Sequence, residues 1–315
     1  MSRLMPPPMP RMPQPDPAAT QPVPPGPPVA RPQLSSARVE PLREIEILDE
    51  YGSRRRILIP HERALTVYVD KRELVTLMTL GAQPELLVLG YLFNQRLIER
   101  LDELAAIQVD WDVGAAAVTT RQGLSDVESR TARRVVTTGC GQGTVFGDLV
   151  SHIGAVQLPD AQQARISQSG LRALLDVVRQ QDSLHRRAGS VHGCALFQGS
   201  TMLMFVEDVG RHNAIDTIAG WMALEGMSGG DKVFYTTGRL TSEMVMKAAQ
   251  MGVPIVVSRN GVTQMGHEMA AQLGMTLFGR AANRHFLCYT GFERFDAEPL
   301  PPSDHPAMRV VVGRG

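Results

Sequence analysis

The stretch "KVFYTTGRLTSEMVMKAAQMGVPIVVSR", residues 232 to 259, contains two short apolar runs of strand type separated by one run of helical length. "KVFYTTG" and "PIVVSR" are β-branched and aromatic, whereas "TSEMVMKAAQMG" carries its methionines and alanines at helical spacing. Since a strand, a helix and a second strand in succession form a parallel crossover unit, this stretch predicts an α/β layered fold.

The same alternation extends on both sides of this unit. Upstream, residues 169–187 form an amphipathic helical pattern, "TMLMFVED" (201–208) is of buried-strand type, and "RHNAIDTIAGWMAL" (211–224) is helical. Downstream, "TQMGHEMAAQLG" predicts a helix, and "TLFG" and "FLCYTG" predict closing strands. We therefore predict an α/β domain with a largely parallel sheet over residues 160–295.

Residues 44–159 predict a smaller mixed α/β region. Two strands flank a turn at residues 51–53, and "ALTVYVD" and "LVTLMT" predict two more. "PELLVLGYLFNQRLIERL", residues 84–101, has helical length and opens with proline, which the first turn of a helix tolerates. This region ends with the loop around Cys140.

The two ends of the chain have a different composition. Residues 1–43 hold more than half of the 22 prolines and almost no periodic apolar pattern, which predicts a disordered leader. Residues 296–315 open with a similar composition and predict a flexible tail. No apolar run approaches the roughly 20 residues of a membrane-spanning helix, and the start lacks a signal-peptide core, so we expect a cytoplasmic protein.

The balance of charge and the number and spacing of the cysteines argue against several classes of protein. Lys+Arg and Asp+Glu are equal at 32 each, so we expect neither nucleic acid nor a membrane as partner. The three cysteines are too few and too far apart for a disulfide framework, and the paired spacings of a zinc site are absent, so no metal is expected. Cys194 and Cys288 lie in apolar runs, where a free cysteine usually acts as a small hydrophobe.

Two strand-to-helix junctions carry polar residues suited to an anion. "FVEDVGRHNAID" places Arg211 and His212 at a helix start behind an acidic pair, and "FYTTGRLTSEM" places hydroxyls and Arg239 at another. Helix N-termini attract anions because their first N–H groups are unpaired and the helix dipole is positive there. Simple capping and a surface ion pair are the alternative explanation.

The loop "TTGCGQG" leaves the role of Cys140 open. Its neighbouring glycines and the upstream Arg133 and Arg134 suit an accessible thiol of lowered pKa. A small residue in a tight bend would give the same local pattern.

"EDVGRHNAID", "TTGRLTSEMVMKAAQMGVPIVVSRNGVT" and "LGMTLFGRAANRHFLCYTG" resemble the formate dehydrogenase accessory sulfurtransferase family (FdhD). The resemblance runs from about Glu62 to Gly291, and the loop cysteine of that family falls at Cys140. It implies a cytidine deaminase-like α/β fold and a homodimer.

The resemblance also implies a sulfur carrier function. A cysteine desulfurase would load Cys140 with a persulfide sulfur for the molybdenum bis(molybdopterin guanine dinucleotide) cofactor of formate dehydrogenase, which GDP would mimic. The cofactor-contacting segment of the family maps to Arg280, Ala281, Ala282, Asn283, Arg284 and His285, and Arg211, His212 and Arg239 would also contact the cofactor.

Two departures from the family pattern keep alternatives open. Gly143 stands where a second loop cysteine is common, and Arg280 stands where an aromatic residue is usual. One alternative is a non-catalytic chaperone that binds the molybdenum cofactor or a guanine nucleotide. The other is a hydrolase or deaminase-like enzyme on the same scaffold, against which stands the missing zinc ligand set.

Overall fold

The computed structural model describes residues 30–123, 135–136, 143–144 and 156–298. The first region contains a five-stranded sheet in the order β1-β6-β7-β4-β5 and a separate β2–β3 hairpin. Its strands are β1 (Gln33–Leu34), β2 (Leu42–Leu48), β3 (Arg54–Pro60), β4 (Arg63–Val69), β5 (Arg72–Thr79), β6 (Leu104–Asp110) and β7 (Ala115–Thr120). Alternate residues of β4, Leu65, Val67 and Val69, are buried against helix α1 (Pro84–Asn94), as strand periodicity requires.

Helix α1 ends seven residues earlier than the sequence pattern predicts. The predicted helix over 84–101 stops at Asn94 because Arg96 adopts a left-handed conformation with φ of 53°. The Leu97 N–H then donates to the Leu92 carbonyl and the Arg96 N–H to the Phe93 carbonyl, both at 2.9 Å. This pair of bonds closes a helix C-terminus.

The ends of the chain are ordered beyond the predicted boundaries. β1 lies within the segment 1–43 and pairs with Ala106 and Ile107 of β6. Asp296 lies in a short strand, and the Glu298 carboxylate accepts the Ser169 N–H at 3.0 Å. The rest of the predicted leader, residues 1–29, and of the predicted tail, residues 299–315, lies outside the described residues.

The second region contains a six-stranded sheet in the order β12-β11-β13-β14-β15-β16. It follows the backbone pair β8 (Val135–Val136) and β9 (Gly143–Thr144). The strands of this second region are β10 (Ile166–Ser167), β11 (His192–Gln198), β12 (Thr201–Asp208), β13 (Lys232–Thr236), β14 (Ile255–Ser258), β15 (Thr276–Ala282), β16 (His285–Thr290) and β17 (Phe295–Asp296). Of these, β10 and β17 pair with each other, outside the six-stranded sheet. Its helices are α2 (Gln168–Gln180), α3 (Leu184–Ala188), α4 (Arg211–Leu224), α5 (Ser242–Gln250) and α6 (Gln264–Gln272).

The prediction of a largely parallel sheet is wrong. Only the β13–β14 and β14–β15 pairs are parallel; the other three pairs of this sheet are antiparallel. The parallel pairs are the ones joined through a helix. Tight turns instead join β11 to β12 and β15 to β16, at Gly199 (φ 58°) and Asn283 (φ 55°), and a tight turn can link only antiparallel neighbours.

Helices cover both faces of the six-stranded sheet. Leu196 packs with Ile215 of α4 and Val245 of α5, whereas the next residue, Phe197, packs with Leu174 of α2 on the other face. The predicted helix over 169–187 is divided into α2 and α3. Ser183 begins α3, where its hydroxyl accepts the Arg186 N–H.

The two regions are joined through helices α1 and α4. A Cβ atom at Gly90 would lie 1.7 Å from the Asp216 carbonyl oxygen, and one at Gly220 would lie 2.0 Å from the Leu86 carbonyl oxygen. Only glycine permits backbones to approach so closely. The carboxyl edge of the second sheet is thereby fixed relative to the first region.

Candidate functional site

A cavity of about 400 Å³ opens at the carboxyl edge of the second sheet. The ends of β12, β13 and β14 and the start of β11 meet there, because His192 pairs with Asp208 and Thr236 lies between Cys194 and Ser258. The cavity is lined by Leu175, Val178, Arg179, Ser183, His185, Arg186, Gly193, Phe205, Glu207, Tyr235, Thr237, Arg259, Ala281, Ala282 and Asn283. Ligands of layered α/β proteins commonly bind at such an edge.

A second cavity of about 310 Å³ adjoins the first and shares Arg259 with it. Its lining includes Arg239, Arg280, Asn260 and Thr263 and contains no carboxylate. None of the three arginines forms an ion pair with a carboxylate within the described part of the chain. Three guanidinium groups without counterions suit a ligand that carries more than one negative charge.

Backbone irregularity places Arg280 at this second cavity. The pairing of β15 with β16 is interrupted between Gly279 and Ala282, and Arg280 has a left-handed φ of 50°. Its N–H donates to the Asn260 carbonyl at 2.8 Å, which ties the irregular turn to the end of β14. A bulge of this kind redirects a side chain at a functional edge, and a non-glycine residue with positive φ is strained.

Arg211 and His212 line neither of these two cavities. Arg211 is only 4% exposed, and a Cβ at Gly238 would lie 2.6 Å from its Cδ, so the side chain packs across the β13–α5 turn. His212 Nε2 lies 3.1 Å from Glu243 Oε2 of α5, and burial lowers the pKa of His212 although Glu243 opposes that shift. The two helix starts predicted to form anion sites therefore contact each other.

The acidic residue Asp208 connects the two regions. Its carboxylate accepts the Thr79 hydroxyl at 2.5 Å, the Leu80 N–H at 3.2 Å and the Asn213 amide at 2.8 Å. Asn213 also donates to the Met78 carbonyl at 2.6 Å. Two residues of the "EDVGRHN" motif, Asp208 and Asn213, therefore connect β5 and the residue after it to the second sheet.

The other acidic residue of the pair, Glu207, faces the larger cavity. Its two carboxylate oxygens accept the Leu184 N–H at 2.5 Å and the His185 N–H at 3.0 Å, at the start of α3. His192, at the same edge, lies 3.3 Å from the Thr237 hydroxyl. Burial, and secondly the nearby Arg211, lower the pKa of His192, which favours its neutral form.

The predicted cofactor segment is divided between the two cavities. Arg280 lines the smaller cavity with Arg239, and Ala281, Ala282 and Asn283 line the larger one. Arg284 and His285 are exposed and line neither of these cavities.

Sequence reasoning missed Arg259, the residue that borders both cavities. It follows strand β14 just as Arg239 follows strand β13. Since β13 and β14 are parallel neighbours, their carboxyl ends meet at one edge of the sheet. An arginine after each of two successive predicted parallel strands could therefore have identified Arg259.

The three cysteines have different environments. Cys194 is fully buried in the core, where desolvation raises the pKa of its thiol to about 12. Cys288 is half-buried on β16, and burial raises its thiol pKa to about 11. Both behave as the small hydrophobes that the sequence predicts. Cys140 lies outside the described residues.

The fold and the site define a mixed α/β protein with an arginine-lined, anion-suited cleft at the edge of its second sheet. The chain belongs to the FdhD/NarQ family, whose model matches residues 60–296. No helix in the described ranges has the length and apolar character needed to cross a membrane.

Two curated relatives are named sulfur carrier protein FdhD. The protein of Bacillus subtilis (strain 168) is 33% identical over 236 residues, which cover 74% of this chain and 88% of the relative. That of Halalkalibacterium halodurans is 30% identical over 258 residues, covering 79% and 93% respectively. A crystal structure described as a formate dehydrogenase accessory protein from Desulfotalea psychrophila has the same fold, with a TM-score of 0.64, 23% identity and coverage of 82% of this chain and 100% of that chain.

Proposed function

We propose that the protein is a sulfur carrier that receives sulfane sulfur from a cysteine desulfurase on Cys140 and passes it to a molybdenum cofactor destined for formate dehydrogenase. Family membership and the names of the relatives support the sulfur carrier role. The observation that supports Cys140 over the other two thiols is that Cys194 is buried and Cys288 half-buried. With pKa values raised to about 12 and about 11, Cys194 and Cys288 are protonated at neutral pH and are poor nucleophiles.

Loading of Cys140 is a thiol–persulfide exchange. The Cys140 thiolate attacks the outer sulfur of the desulfurase persulfide, the sulfur–sulfur bond of the donor breaks, and the donor cysteine leaves as a thiolate. The outer sulfur and its proton remain on Cys140. Delivery of this zero-valent sulfur as a sulfido ligand breaks the sulfur–sulfur bond of the Cys140 persulfide and takes two electrons, which we assign to the Mo(IV) centre of the substrate becoming Mo(VI). Cys140 is released as a thiolate, and the persulfide proton passes to solvent.

The arginine-lined cleft supports a phosphate-rich substrate. Arg239, Arg259 and Arg280 present three guanidinium groups to one cavity, and the adjoining 400 Å³ cavity has the aromatic side chains of Phe205 and Tyr235 in its wall. The bis(molybdopterin guanine dinucleotide) cofactor combines phosphates with aromatic rings. We assign its phosphates to the arginine cavity and expect GDP to occupy the same place as a partial mimic.

Sulfur loading is tested with purified protein, a cysteine desulfurase and free cysteine. Wild type should gain one sulfur atom in intact mass, and Cys140→Ala should gain none. Cys288→Ala, the matched control at the half-buried thiol, should load like wild type. Loading of Cys140→Ala would refute the role of Cys140, and absence of loading in every variant would favour the alternative of a cofactor-binding chaperone.

Ligand binding is tested separately by GDP titration. Arg259→Ala and Arg239→Ala should weaken binding about tenfold or more, because each removes a charge-assisted contact, while Arg54→Ala on the exposed hairpin should not. Unchanged titrations would contradict the phosphate assignment without affecting the sulfur-loading result. Retained GDP binding without sulfur loading would support the chaperone.

The cytoplasm as location and a homodimer as assembly are part of the same proposal. Size-exclusion chromatography with light scattering measures the assembly directly. A mass equal to one chain across the working concentration range would exclude the dimer.

A further inference from the structure

Helix α3 forms a wall of the larger cavity and contacts strand β3 of the first region. Ser183, His185 and Arg186 line the cavity, and none of the five helical residues is fully buried. A helix of one to two turns does not persist without tertiary support. Gly189 and Ser190, both with left-handed φ values of 65° and 52°, follow the helix directly.

Besides the contact with β3, tertiary support comes from Glu207 at the end of the edge strand β12. Its carboxylate accepts both the Leu184 N–H at 2.5 Å and the His185 N–H at 3.0 Å, while the Ser183 hydroxyl accepts the next one, from Arg186, at 3.3 Å. Arg186 also donates to the Arg179 carbonyl of α2. The first turn of α3 is thus fully capped, and a single side chain from across the cavity edge supplies two of the three acceptors.

We propose that Glu207 is a positioning residue that holds α3 as the movable wall of the cavity, so that the dwell time of a bound nucleotide depends on this clamp. Glu207 acts through the helix and does not need to touch the ligand. The effect on nucleotide dwell time rests on the proposed function. The role of Glu207 in holding α3 rests only on the hydrogen bonds seen in the ligand-free structure.

Hydrogen–deuterium exchange on the ligand-free protein tests the clamp. Glu207→Gln removes the charge and one of the two acceptor oxygens, and should speed exchange of the amides in 184–189 about tenfold. Glu298→Gln is the matched control, because the Glu298 carboxylate accepts the Ser169 N–H at 3.0 Å in the first turn of α2 but does not line the cavity. Unchanged exchange in Glu207→Gln would overturn the proposal.

The clamp can also be broken from the helix side. Leu184 is the first residue of α3, where proline is well tolerated, and Ser183 has the extended conformation (φ −138°, ψ 148°) that a following proline requires. Leu184→Pro removes one donor to Glu207, and Leu184→Ala controls for the side chain. If Glu207→Gln and Leu184→Pro both act through the clamp, their effects on amide exchange in the double variant should be less than additive. Full additivity would contradict a shared clamp.

Dissociation of a fluorescent GDP analogue tests the consequence for the cavity. Its off-rate should rise about tenfold in Glu207→Gln and in Leu184→Pro and stay unchanged in Glu298→Gln and Leu184→Ala. Faster helix exchange with an unchanged off-rate would show a purely structural cap and overturn the proposal. If wild type binds no GDP, the proposed ligand fails, and the exchange measurements still decide whether Glu207 holds α3.

Discussion

Lys247 and Asp216 form a buried ion pair, with Nζ 2.7 Å from Oδ2 and 2.9 Å from Oδ1 and both side chains at most 1% exposed. Asp216 also accepts the Asn94 amide at 2.7 Å, so α1, α4 and α5 meet at one carboxylate. Burial raises the pKa of Asp216, and Lys247 opposes that shift. The pair therefore anchors α4 and α5 to α1 of the first region.

Removal of the cation at this junction should be costly. Lys247→Met leaves Asp216 as an uncompensated buried charge and should lower the free energy of unfolding by about 3–5 kcal/mol, measured by urea denaturation. Arg54→Ala breaks the exposed pair with Glu46 and should change stability by less than about 1 kcal/mol. A loss in Lys247→Met no larger than that in Arg54→Ala would contradict this role.

Replacement of Arg294 should also lower the stability of the protein, for a different reason. It is 4% exposed and donates to the carbonyls of Pro159, Asp160, Ala164 and Gly274, which joins the segment after residue 156 to the start of β15. Arg294→Met leaves these acceptors without their donor and should cost about 3 kcal/mol in urea unfolding.

Arg165→Met is the control for Arg294, since Arg165 forms an exposed pair with Asp296. Its urea unfolding should stay close to that of wild type, because an exposed ion pair contributes little to stability. Equal stability changes in the two variants would refute the structural role of Arg294.

The glycine contact between α1 and α4 predicts a steric effect. Gly90→Ala would place Cβ 1.7 Å from the Asp216 carbonyl oxygen and should destabilise the protein by about 3 kcal/mol through forced separation of the helices. Thermal unfolding measures the loss. Gly261→Ala, whose Cβ would meet no atom within 4 Å, is the matched control and should unfold like wild type. Normal stability of Gly90→Ala would show that the helices do not pack as described.

His212 predicts a pH dependence of stability. Burial lowers its pKa from 6.5 in the folded protein, with Glu243, Lys247, Arg211 and His192 as the charged and titratable neighbours. Between the lowered pKa and 6.5 the unfolded chain binds a proton that the folded chain does not, so stability falls as pH drops below 6.5.

The contribution of His212 is measured by urea unfolding at a series of pH values. As the pH drops below 6.5, the free energy of unfolding should fall more steeply in wild type than in His212→Gln, by up to about 1.4 kcal/mol per pH unit. The exposed His285, replaced by glutamine as a control, should leave the slope unchanged. Identical slopes in wild type and His212→Gln would contradict a neutral, buried imidazole.

Local pattern predicted much of this architecture. The strand at 201–208 and the helix at 211–224 have the predicted bounds, because each is a largely apolar run that a glycine follows within two residues of its end. Topology was less predictable: the parallel fraction of the sheet depends on which links are tight turns. The left-handed conformations of Arg96 and Asn283, at a helix end and in a tight turn, lack the usual glycine signal.

The candidate site was predictable only in part. Arg239 and Arg280 lie together at one cavity, but Arg259 became evident only once β13 and β14 were seen side by side. Asp208, predicted within a site motif, ties the two regions together, because a carboxylate at a strand end can bind a ligand or a neighbouring strand with the same chemistry. The assignment of Cys140 stays a prediction from the family resemblance.

The central claim is that Cys140 alone carries the sulfur. Its most direct test is the sulfur stoichiometry, by intact mass, of a variant that keeps only this thiol, Cys194→Ala/Cys288→Ala, after incubation with a cysteine desulfurase and cysteine. We predict one sulfur atom per chain, equal to wild type, and none when Cys140→Ala is added. An unloaded single-cysteine variant that is folded by circular dichroism, or a loaded Cys140→Ala protein, would contradict the claim.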